Sequence, residues 1–68
     1  MSALEKELQE RKSEIENELE LLFKANIKIT DWDIPEVDDK EVATKILEIM
    51  KNKLNKIEQD IESGKYNY

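Results

Sequence analysis

Leu4, Leu8, Arg11, Ile15, Leu19, Leu22 and Asn26 are spaced 4, 3, 4, 4, 3, 4, and reading backwards from Ile61 through Ile57, Leu54, Met50, Ile46, Ala43 and Asp39 gives the same series. Steps of three and four keep side chains on one face of an α-helix. Two stripes of one rhythm running in opposite directions are what an antiparallel helix pair requires, because each side chain on one seam must meet a layer on the other. The chain therefore reads as all-α, a helical hairpin whose opposed residues have indices summing to 65. In that register Ile15 is level with Met50 and Leu8 with Ile57.

The punctuation of the chain divides it as one domain, 1–68, into a helix over 2–26, a loop over 27–38, a helix over 39–63 and a short tail over 64–68. Asp38 followed three residues later by Glu41 is a capping box, and Val37 before the cap can touch Val42 inside the helix as a hydrophobic staple. Pro35 holds Ile34 out of the helical region. Gly64 is placed to take the left-handed conformation that closes a helix, with Lys65 near the carbonyl end. A twelve-residue connection exceeds the usual helix–helix length of about 2–8 residues. Its Ile27, Ile29, Trp32, Ile34 and Val37 suggest a loop packed as a thick head above a two-helix stem.

A chain of 68 residues sits where a single hydrophobic core is marginal. It holds neither Cys nor His, so the disulfide and zinc staples of small domains are absent. Association is the remaining common remedy. Each apolar stripe of a lone hairpin is covered on one side only, and pairing two hairpins into a four-helix bundle, with coiled-coil-like packing, covers the other. A homodimer is the expected assembly.

Charge narrows the partners. The net charge is −6; residues 1–26 carry seven acids against four bases, 27–38 four against one, and 39–68 six of each. Surplus acid on the first helix and loop repels nucleic acid and anionic bilayers, both of which are held by clustered Lys and Arg, and attracts a protein with a basic surface. No apolar run approaches the roughly 20 residues that span a bilayer, and the N-terminus lacks the order of a signal peptide. A cytoplasmic protein is expected.

Without imidazole or thiol, the ordinary general base and thiol nucleophile are missing, and a two-helix hairpin is too thin to desolvate a Lys–carboxylate pair. No enzymatic activity and no cofactor or metal are expected. The string from Asp31 to Glu36 opens like a calcium loop but puts Pro35 where a third ligand belongs, Glu36 at the turn glycine and Val42 at the bidentate glutamate. The expected function is a non-enzymatic protein–protein interaction module, a homodimeric adaptor or regulator; the alternative is a small structural subunit of a larger hetero-oligomer. Partner binding is placed at the loop, on Asp31, Trp32, Asp33 and Glu36. Trp32 is read first as a core residue of the head, with an interface anchor as the alternative. Arg11, polar within the seam, is expected to reach out to Glu7 or Glu14. Tyr66 and Tyr68 are read as tail.

Overall fold

A computed structural model describes residues 2–67. Two antiparallel helices, α1 over Ala3–Asp33 and α2 over Asp39–Glu62, make a hairpin without strands among the described residues. Ser2 opens α1 in the extended region and its hydroxyl accepts the Glu5 N–H at 3.1 Å, satisfying one of the donors that a helix start leaves unpaired.

α1 continues seven residues past the end expected from the seam, so the loop shortens from 27–38 to 34–38. Polar and β-branched residues over 26–33 lower helix propensity but do not break a helix. Here their polar groups find partners along it. Asn26 Nδ2 donates to the Leu22 carbonyl at 2.8 Å, and Thr30 Oγ1 donates to the Asn26 carbonyl at 2.9 Å. The stop is Pro35. It excludes Ile34 from helical geometry, and Ile34 takes φ −135° and ψ 75° while its N–H closes the last turn on the Thr30 carbonyl at 2.8 Å. A turn follows, closed by Val37 N–H on the Ile34 carbonyl at 3.2 Å. The five-residue connection falls within the ordinary range for paired helices.

α2 starts where the capping signal placed it. Asp38 Oδ2 accepts the Glu41 N–H at 3.1 Å. The Glu41 carboxylate turns to Lys45 at 3.9 Å, so the box forms in its Asp38 half. Val42 is the only apolar side chain buried among the described residues, 4% exposed, with Val37 half-buried. At the far end Gly64 has φ +86°. Its N–H bonds the Ile61 carbonyl at 3.1 Å and the Lys65 N–H bonds the Asp60 carbonyl at 2.9 Å, which together make a Schellman cap. Asp60 lies under this cap, 6% exposed, paired with Lys56 at 3.0 Å and Lys65 at 3.4 Å. The Lys56 hydrogen bond holds its carboxyl below the ordinary carboxylate value, against the opposing effect of burial.

The longer α1 moves the register. A hairpin's pairing is fixed by where the chain turns, and a sum of 65 would place the turn at Trp32 and Asp33, which are helical. The turn lies at Glu36 instead. Thr30 shares a groove wall with Val42 and Phe23 shares one with Met50, giving index sums of 72 and 73. The expected levels of Ile15 with Met50 and Leu8 with Ile57 are thereby corrected by about two turns. On α1 the partly covered residues are Phe23, Ile27, Thr30 and Asp31; on α2 they include Ala43, Ile46 and Met50 beside Val42.

The result is slender. The radius of gyration is 16.0 Å and the extents are 49 × 28 × 17 Å, against about 11 Å for a compact chain of this length. Its accessible surface is 6277 Å². A folded monomer of 8.1 kDa exposes about 4,500 Å² by the usual scaling, so the hairpin carries an excess of about 1,800 Å².

Candidate functional site

The four residues placed at the loop by sequence do not form a loop cluster. Asp31, Trp32 and Asp33 make up the last turn of α1, and Glu36 alone sits in the connection. Trp32 is 87% exposed, which overturns its reading as a core residue. Asp33 and Glu36 are exposed as well, while Asp31 is half-buried. Because Trp32 stands on a hydrogen-bonded helix, its position is fixed by the backbone, as a residue that docks on another surface requires.

Electrostatics at this end are unfavourable within the chain. Asp31 lies at the C-terminus of α1, where the helix dipole disfavours a negative charge, and it faces Asp39 at the start of α2. Its carboxyl is raised above the ordinary value, first by burial and then by the charge of Asp39, which also accepts a hydrogen bond from the protonated form. No basic side chain among the described residues is ion-paired to Asp31, Asp33 or Glu36. Among those residues no group of three or more acidic, His or Cys side chains is arranged to hold a metal ion.

A second feature is larger. Leu8, Ile15, Leu22 and Ile29 recur every seven residues along α1, and they are 47%, 47%, 56% and 58% exposed. The residues that face α2 lie one position later, Phe23 after Leu22 and Thr30 after Ile29, which is about 100° around the helix. The heptad line thus runs beside the hairpin seam rather than in it. Leu4, Ala25 and Trp32 extend the same stripe with the alternating four and three of a coiled-coil face. α2 contributes exposed apolar groups of its own, Leu47 and Leu54, which with Met50, Leu19 and Phe23 line an open groove between the helices. A second groove near the connection is walled by Ile34, Val37, Ile46 and Ile49.

The spacing of the sequence picks out Leu4, Leu8, Ile15 and Leu22 but puts them in the hairpin seam, where the structure places Phe23, Ile27 and Thr30 instead. The two lines share a period and differ in phase: Phe23 and Thr30, which meet α2, lie one residue after Leu22 and Ile29.

Every ion pair among the described residues is local. Arg11–Glu14 at 3.8 Å, Glu20–Lys24 at 3.3 Å, Glu41–Lys45 and Lys56–Asp60 each lie within one helix, and Lys65–Asp60 ties the α2 cap. None joins α1 to α2. Arg11 reaches Glu14, one of the two partners expected for it. Tyr66 lies beside Lys65 in the tail turn, with Nζ 6.0 Å from the ring centre, and Tyr68 falls outside the described residues. No helix among the described residues is long and apolar enough to cross a membrane.

The architecture defines a two-helix all-α hairpin. No family model, curated protein or solved structure matches the chain.

Proposed function

We propose that this chain is a non-enzymatic protein–protein interaction module, a homodimeric adaptor or regulator of the cytoplasm, that completes its hydrophobic core by association and offers the acidic end around Trp32 to a partner with a basic surface. The observation that carries the reading is burial. Among the described residues one apolar side chain is buried, while Leu4, Leu8, Ile15, Leu19, Leu22, Leu47 and Leu54 stand in the open. Contiguous apolar surface on this scale marks an interaction site in a soluble protein. The excess area of about 1,800 Å² per chain falls within the about 1,000–2,500 Å² that each subunit of an obligate homodimer buries.

The test is sedimentation with far-ultraviolet circular dichroism on the purified chain over a hundredfold range of concentration. The reading expects a helical dimer whose melting temperature rises with concentration, because association is part of folding. A helical monomer with a concentration-independent melt removes it. A chain that is unfolded alone and folds only with another protein supports the hetero-oligomeric subunit in its place.

A further inference from the structure

The proposed function leaves open which surface another chain covers and how it lies there. We infer that the occupant is a second copy of this chain, whose α1 packs antiparallel on the Leu4–Ile29 stripe of the first about a two-fold axis near residues 15–18. This inference rests on the association reading above and assigns it a face and a direction.

Length makes the first argument. α1 has 31 residues and α2 has 24, so with the turn at Glu36 the last turn of α2 comes level with about residue 10 of α1 and the N-terminal turns of α1 extend roughly 10 Å beyond it. Leu4 and Leu8 lie on this overhang. α2 cannot cover them in this register, because it ends before it reaches them. A second α1 laid antiparallel does. Centring the stripe on its midpoint puts Leu4 opposite Ile29 of the second copy, Leu8 opposite Ala25 and Leu22 opposite Arg11, and the two helices overlap over nearly their whole length.

Charge makes the second argument and chooses the direction. Two charged residues interrupt the stripe, Arg11 and Glu18, of opposite sign and seven residues apart. A parallel copy would set Arg11 against Arg11 and Glu18 against Glu18, which a half-covered interface resists. The antiparallel copy brings Arg11 of each chain within about one turn of Glu18 of the other, so the pair is made twice. Among the described residues Arg11 is ion-paired only to Glu14, at 3.8 Å, and Glu18 to none. Both are free to turn to the second copy.

Charge reversal tests this. Arg11→Glu and Glu18→Arg, each alone, should weaken dimerisation by about tenfold or more by sedimentation, since each replaces two attractions with two repulsions. The double variant, Arg11→Glu with Glu18→Arg, should return to within about threefold of the parent. Single-site cysteines report the direction independently. Ile15→Cys, near the axis, should join two chains through a short bis-maleimide linker, whereas Leu4→Cys, about 37 Å from its mate at 1.5 Å per residue, should not. Efficient joining of both sites means a parallel pair and overturns the inference. So does a dimer indifferent to all three charge variants but dissolved by Leu47→Glu and Leu54→Glu, which would place the interface on α2 and leave the association reading standing. A helical chain that stays monomeric at every concentration removes both.

Discussion

Gly64 gives the sharpest single-atom test of the fold, because glycine has no Cβ and one added here touches nothing. At φ +86° an L-residue pays the steric cost of the left-handed region, roughly 1–2 kcal/mol. An added Cβ meets nothing within 4 Å, so no packing gain or clash enters. Gly64→Ala should therefore destabilise the protein by about 1 kcal/mol, after the about 0.4–1 kcal/mol returned by the stiffer unfolded chain. A chain of 68 residues is within reach of chemical synthesis, and D-alanine at the same position supplies the mirror experiment. The D-residue prefers positive φ, so it keeps the unfolded-state gain without the strain and should stabilise by about 0.4–1 kcal/mol. Thermal melts by circular dichroism at one fixed chain concentration would resolve the two, since about 1 kcal/mol moves a melt by about 4–8 °C at this size. Equal melts for the L- and D-alanine proteins would mean that the bonds from Gly64 to Ile61 and from Lys65 to Asp60 do not form the cap described above.

Three further outcomes follow from the charged groups and the tryptophan. Asp60 has a lowered carboxyl value in the fold, so its contribution is whole above its ordinary value of 3.8 and is lost as pH falls through the lowered one; the stability gap between the parent and Asp60→Asn should shrink over that acid range in paired denaturant titrations. Asp31 is shifted the other way, its cost to the fold growing as pH rises from 3.8 through the raised value, so Asp31→Asn should stabilise at neutral pH and give no advantage below 3.8. Trp32→Ala should leave the melt of the dimer unchanged while weakening capture of a basic protein partner; a clear loss of stability would instead make Trp32 a packed residue of the assembly.

What could be read from the sequence, and what could not, follows from the range of the interactions involved. The start of α2 and the end at Gly64 are local events, decided by Asp38, Glu41, Gly64 and their immediate backbone, and the sequence places both within a residue. The all-α hairpin is legible for the same reason, since two long periodic segments separated by a proline leave few alternatives. The end of α1 is different. Isoleucines 27 and 29, Thr30 and the aspartates at 31 and 33 weaken a helix without stopping it, and their apolar side chains resemble loop packing when counted alone. Pro35 was the stronger signal. Once α1 runs to the proline, the turn moves to Glu36 and the pairing follows it. The loop-end site suffers with the boundary: Asp31, Trp32 and Asp33 are neighbours along a helix, so they splay around its axis, and burial separates half-covered Asp31 from open Trp32.

The same displacement explains why the seam that looked complete is incomplete. With the turn at residues 32 and 33, Leu4 to Leu22 would have met Ile61 to Ala43 and the chain would have covered its own stripe. With the turn at Glu36, α2 slides two turns along α1, faces Phe23, Ile27 and Thr30, and stops short of Leu8. The exposed stripe of α1, Leu4, Leu8, Arg11, Ile15, Glu18, Leu22, Ala25 and Ile29, has the steps 4, 3, 4, 3, 4, 3, 4, and that series is its own reverse about residues 16 and 17. A helix whose apolar pattern reads alike in both directions is suited to an antiparallel copy of itself, where each layer meets its own image across a two-fold axis. The exposed stripe, the overhang of α1 and the opposed charges of Arg11 and Glu18 are the three features on which the proposed pairing of two chains rests. The proposed pairing leaves Trp32 and the acidic end of each hairpin at opposite extremes of the central helix pair, so the proposed adaptor would offer two separated ends to its partners.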